Sequence, residues 1–226
     1  MKQPIFLLAA MAALGVVSGH RDQSIGAESA QTSPAMSFFV SSVGSKTANL
    51  GGLRGADRIC QELASAVGLG NKTWRAYLSA ERDLDNGNKP TDARSRIGTG
   101  PWSNAKGVVV AKDLAELHAR KGDADLFLDE RGQRIPGNWP GSPKPTEHDI
   151  LTGSTTDGRV MAGRTCNDWT SEASDLRAQV GHSDGLGPGG DPSGSYSVWN
   201  SSHENGSCAN TAPRGGAGRI YCFAPK

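Results

Sequence analysis

Apolar and polar positions alternate in changing rhythms along this chain, and the changes predict a few short elements joined by long loops. After Lys2, an apolar run from Phe6 to Val17 ends on the small residues Val17-Ser18-Gly19, which reads as a secretory signal over residues 1–19. The run is too short to span a bilayer, so no transmembrane segment is expected in the mature chain. Residues 20–35 are polar, rich in Ser, Ala and Gln and without period, which predicts a flexible leader, and the folded domain is expected over 36–226. Ser37-Phe38-Phe39-Val40-Ser41 suits a first strand. From Gly55, Ala56, Ile59, Cys60, Leu63 and Val67 recur at helical spacing with Arg58, Gln61 and Glu62 opposite, and Gly68 stands where a helix-ending glycine belongs. Trp74, Ala76 and Leu78 then alternate with Arg75 and Tyr77, the pattern of a half-buried strand.

Beyond this point the order loosens. Val108 to Ala111 reads as a strand, Asp113 is placed to cap a short helix running to His118, and Asp125–Leu128 with Gln133–Ile135 suggests a hairpin. Trp139 to Pro145 is a proline-rich loop, and Gly185 to Gly194 is a glycine-rich one. Gly218 to Phe223 closes the chain as a strand. One early helix, scattered strands and a closing strand make an α+β domain, with no internal repeat.

Charge adds an exclusion. The chain carries 24 Lys and Arg against 23 Asp and Glu, and removing residues 1–19 takes one Lys and no acid, leaving 23 of each. A neutral balance gives no electrostatic case for nucleic acid or anionic lipid as partner. The four cysteines, Cys60, Cys166, Cys208 and Cys222, are an even set behind an export signal, with no C-x-x-C pair. Two disulfides are expected rather than a cysteine zinc site, and three connectivities are open.

Five stretches resemble a known family in order and spacing. Gly55-Ala56-Asp57-x-x-Cys60 followed by Thr73-Trp74-Arg75-Ala76-Tyr77-Leu78-Ser79, then Gly153-Ser154 with Gly158-Arg159, Cys166-Asn167-Asp168-Trp169-Thr170, Ser207-Cys208 and Tyr221-Cys222-Phe223 are similar to endostatin, a C-type-lectin-like domain. The resemblance runs from about Met36 to Pro225. It implies a C-type-lectin-like fold with nested disulfides, Cys60–Cys222 and Cys166–Cys208. Trp199-Asn200-Ser201 resembles the Trp-Asn-Asp motif of sugar-binding C-type lectins, in which Asn and Asp hold calcium. Here Ser201 replaces the Asp and removes a carboxylate from a hard-cation site, so no cofactor is required, and calcium is the ion to be weighed.

Candidate binding residues follow from these readings. Glu147, Asp149 and Asn200 are the set whose convergence would revive a calcium site, with Trp139 and Asp184 as further loop candidates. Trp74, Trp169 and Trp199 suit the core, while Trp102 and Trp139, among Gly, Pro and Ser, are expected to be exposed. The loop acids Glu147, Asp149, Asp157, Asp184 and Asp191 read first as solvated turn residues, and His203-Glu204 as a surface pair. His148-Asp149 and His182-x-Asp184 have no H-E-x-x-H spacing, and no nucleophile elbow or phosphate loop is present. Arg54, Arg58, Arg94, Arg96 and Arg214 are interleaved with acids, which argues for solvation over a glycan-binding face. The sequence is thus read as a secreted or periplasmic, non-enzymatic recognition module that binds a glycan or a surface or matrix protein through its loops. The alternatives are a structural envelope component and a loop-built hydrolase or metal enzyme, the last of which requires His148, His182 and His203 to converge.

Overall fold

A computed structural model of the chain describes residues 35–225. The signal segment and the leader as far as residue 34 lie outside the described residues. The elements are β1 Phe38–Val40, α1 Gly52–Ala66, β2 Arg75–Ala76, β3 Ala80–Asp83, β4 Lys89–Thr91, β5 Trp102–Ser103, β6 Val109–Ala111, α2 Leu114–Ala119, β7 Asp149–Leu151, β8 Gln179–His182, β9 His203–Glu204 and β10 Gly216–Phe223. The architecture is mixed α+β. The main sheet runs β1-β10-β7-β8-β9, with β2 also paired to β10. Only the β10–β7 pairing within it is parallel.

The closing strand is the spine of this sheet, and side-chain alternation along it fills two cores. Ile220 and Cys222 join Phe39, Trp74, Leu151, Val180 and the inner face of α1 on one side. Tyr221 and Phe223 join Phe38, Val40, Ile150, Trp102, Phe127 and Trp199 on the other. A short strand buried on both faces must be apolar throughout, which explains the unbroken run of β1. Trp102 is therefore not exposed as expected: its ring meets Phe223 edge-on at 5.6 Å and its indole N–H donates to the Ile97 carbonyl. Trp139 stays partly exposed under the Arg134 guanidinium, 5.0 Å from the ring centroid.

The early helix starts three residues before the expected Gly55, because Gly51 and Gly52 take φ of 76° and 73° and turn the chain directly into it. Gly68, at φ 80°, follows its end, and its N–H donates to the Ser65 carbonyl. Asp57, on the buried side of α1, accepts from the Ala76 N–H at 2.9 Å and pairs with Arg75 and Arg96. These contacts tie the helix to β2. The strand expected over 73–79 is reduced to Arg75–Ala76, and Tyr77 is buried in the second core instead of facing solvent. The 125–135 hairpin is a single bridge, Leu128 to Arg134.

Disulfides Cys60–Cys222 and Cys166–Cys208 join α1 to β10 and the 166 turn to the segment before β10. They are nested, as the resemblance implies. The turn Cys166–Trp169 is left-handed, with φ between 49° and 66° at four successive non-glycine residues. Such residues are disfavoured individually, so the surroundings must hold them. The disulfide does so at one end, and the buried Trp169, donating to the Ser79 carbonyl at 2.8 Å, does so at the other. Among the described residues no helix is long and apolar enough to cross a membrane.

Candidate metal centre

The register of the sheet brings together residues that are far apart in sequence. Asp149 at the start of β7 lies directly opposite His182 at the end of β8, and His203 in β9 lies opposite Val180, two residues before His182. In an antiparallel ladder, directly opposed residues and their i±2 neighbours share one face. Asp149, His182 and His203 thus continue the face on which Leu151 and Val180 pack into the first core. The centre sits where that apolar face runs out at the end of the sheet. His148 joins from the residue before β7, its ring stacked on His182 with centroids 4.3 Å apart.

Hydrogen bonds set the direction in which each imidazole points. His148 Nδ1 lies 2.6 Å from an Asp184 oxygen, His182 Nδ1 3.1 Å from the Tyr196 carbonyl, and His203 Nδ1 2.8 Å from the Glu204 carbonyl. Carbonyl and carboxylate oxygens only accept, so all three Nδ1 atoms carry the hydrogen. With Nδ1 engaged outward in each ring, the Nε2 atoms are the ones that face inward. His148 Nε2 and His182 Nε2 stand 3.4 and 3.3 Å from Asp149 Oδ1, and His203 Nε2 stands 3.5 Å from Oδ2. His182 Nε2 and His203 Nε2 are 2.9 Å apart.

The carboxylate at the middle of the arrangement has no hydrogen-bond donor. Asp149 is 1% exposed, and neither carboxylate oxygen has a hydrogen-bond partner. A buried anion left in that condition is costly. A cation between Asp149, His148 and His182 would satisfy it. Metal–donor bonds of roughly 2.0–2.1 Å place tetrahedral neighbours roughly 3.3–3.4 Å apart, close to the spacings between Asp149 and the three rings. His148, Asp149 and His182 are all buried and offer atoms within 4.8 Å of one another. His203, 28% exposed in its side chain, edges the cluster on the solvent side.

A second ring of contacts fixes the first. Burial would raise the Asp184 carboxyl, but the hydrogen bond from His148, with the backbone amides of Asn138 and Leu186, holds it below the ordinary carboxylate range. A histidine that donates its outer N–H to a carboxylate or carbonyl is the usual support of a metal ligand. Above the cluster opens a cavity of ≈ 630 Å³, lined in part by His148, His182, His203, Tyr196, Arg214 and Gly215.

The sequence-derived candidates are divided by the fold. Asp149 and Asp184 meet around His148. Both were read as solvated loop acids, and both are buried, Asp149 inside β7 because strand pairing continues to that residue. Glu147 instead pairs with Arg219, and Asn200 is buried with its amide donating to the Tyr77 hydroxyl and the Thr155 and Thr156 carbonyls. Trp139 donates to the Ile135 carbonyl. Nor is His203-Glu204 a surface pair: His203 turns to the cluster and the Glu204 carboxylate takes Arg164 at 2.6 Å. The basic candidates Arg54 and Arg96 are paired with Asp85 and Asp57. The histidine signal was present in sequence as separate pairs, and strand pairing across three strands is what joins them.

Neither a protein-family model nor a curated protein gives a significant match to the chain.

Proposed function

We propose that this chain is an exported domain of C-type-lectin-like, endostatin-like fold, and that its working centre is a transition-metal site made by His148, Asp149, His182 and His203. The observation that carries the reading is the buried Asp149 carboxylate, which has no donor and faces the Nε2 atoms of three histidines whose other nitrogens are already engaged. Nitrogen donors with one carboxylate suit zinc and its neighbours in the first transition row, whereas calcium takes oxygen alone. The centre therefore replaces the calcium site weighed from the Trp199-Asn200-Ser201 motif. Two disulfides point to an oxidising compartment, which supports a secreted or periplasmic destination. The role is metal-dependent recognition of a glycan or of a surface or matrix protein at the cavity over the ion.

Metal analysis of the EDTA-treated and zinc-reloaded chain tests this. One zinc per chain is expected. D184N should weaken binding by about ten- to a hundredfold, as loss of an outer support does, and D149N should weaken it further. Metal-free D149N should fold at least as stably as the metal-free parent, since it removes an unpaired buried charge. A chain that takes up no zinc, or D149N that binds as the parent does, would overturn the proposal. A metal-dependent hydrolase is the second reading. It is favoured by the exposure of His203, the donor most able to yield its place to water, and turnover of model esters by the zinc form would establish it.

A further inference from the structure

We infer that the cavity over the metal centre binds an oxyanion, a carboxylate, phosphate or sulfate group, held between the metal and Arg214. The inference rests on the metal reading and adds the chemical class of the ligand.

Three observations converge on it. The first is charge. No Asp or Glu lines the cavity wall, whose polar residues are Asn138, Thr146, Ser195, Tyr196 and Arg214 together with the histidines. The nearby carboxylates are engaged elsewhere: Glu204 with Arg164, Glu147 with Arg219, and Asp184 with His148. A divalent ion is balanced by Asp149 and by Asp184 behind His148, which leaves the guanidinium on the wall as the uncompensated positive group facing the cavity.

The second is Arg214 itself. It is exposed and has no carboxylate partner among the described residues, and it donates to the Glu204 main-chain carbonyl at 3.3 Å. Its φ is 68°, a conformation that a non-glycine residue adopts at a cost. The turn Pro213-Arg214-Gly215 therefore holds an unpaired arginine on the rim of the cavity. A planar guanidinium there is suited to a two-point bond to an oxyanion.

The third is the space beside the metal. Gly215, at φ 101°, packs against His148, and a Cβ built on it would lie 3.2 Å from His148 Nε2, the atom that faces the ion. Glycine keeps the approach open between Arg214 and the centre. With His148, Asp149 and His182 buried, the incoming group meets the ion from the side of the partly exposed His203, as a fifth contact or in its place.

Cobalt(II) loaded into the full chain reports the two steps separately, because its visible bands register both coordination and its change. The loaded protein is titrated with inorganic phosphate, sulfate and acetate, and with methyl glucoside as a neutral control. At least one anion should shift the bands saturably while the glucoside leaves them unmoved, and the rank of the three identifies the group carried by the natural ligand. R214Q should weaken that anion by about tenfold or more with cobalt affinity unchanged, and R214K should recover part of the loss. Intact cobalt bands that no anion moves, or R214Q binding anions as the parent does, would overturn the inference and leave the metal reading standing. Failure to bind cobalt would remove both.

Discussion

His118 shows what complementary donors and acceptors do to a titrating side chain in this protein. Its Nδ1 donates to the Leu114 carbonyl at 2.7 Å, and its Nε2 accepts from the Tyr77 hydroxyl, which in turn accepts from the Asn200 amide. Burial holds the imidazole below its ordinary value, with Arg94 adding to the effect and the Leu114 carbonyl opposing it. Burial likewise pushes the Tyr77 hydroxyl well above its ordinary range, so it remains a donor. A histidine depressed in the folded state contributes stability that is complete above its unfolded value, near 6.5, and that fades as pH falls through the folded value. Melting curves at pH 7 and pH 5, taken in chelator, should show a drop in the parent that is smaller in H118Q. Equal drops would place the acid sensitivity elsewhere.

At the scale of elements, the centre depends on how closely β8 approaches the segment that returns to form β9. Gly181 lies between Val180, which faces the first core, and His182, which faces the histidine cluster. A Cβ on Gly181 would stand 1.9 Å from the Trp199 carbonyl oxygen and 2.4 Å from the Asn200 amide nitrogen. Both are backbone atoms that cannot swing aside. G181A should therefore push the 199–200 segment outward, loosen the packing of Trp199 on Tyr77 and Tyr221, and shift His203 with it. The expected loss of stability is about 3 kcal/mol, at the upper end for overpacking, together with weaker zinc binding. Denaturant unfolding and metal titration read the two effects, and a variant matching the parent in both would refute the close-approach argument. The left-handed turn at Cys166–Trp169 follows the same logic, since a conformation poor by itself is fixed by what it packs against.

Over the whole molecule, short strands and long loops leave cross-links a large share of the work. The bonds Cys60–Cys222 and Cys166–Cys208 span 162 and 42 residues. Chain-entropy arguments give about 5 and about 4 kcal/mol for loops of those lengths, against a net stability of roughly 5–15 kcal/mol for an ordinary domain. The paired substitution C60A/C222A should therefore lower the midpoint of denaturant unfolding more than C166A/C208A does. The opposite order would count against the chain-entropy account. The zinc reading predicts a further coupling, since an ion joining β7, β8 and β9 stabilises by mass action, by about 4 kcal/mol at a thousandfold excess over Kd.

The local pattern of residues was sufficient for the elements that depend on local forces. Helical spacing from Ala56 to Val67, the capping Asp113, the apolar β1 and the closing strand all appear where hydrophobic period and cap chemistry put them. The α+β class and an even, oxidised cysteine set follow from the same one-dimensional information. The burial of Trp102 and Tyr77 was not legible, because both belong to a second core whose other wall comes from residues nearly a hundred or more positions away. The candidate metal centre was illegible for the same reason. Metal motifs read from sequence are those whose ligands ride on one helix or one turn, whereas here residues 148–149, 182 and 203 become neighbours only through the pairing of three strands. Sequence supplied the imidazoles and the carboxylate, and sheet register decided that Asp149, His182 and His203 share one face beside His148.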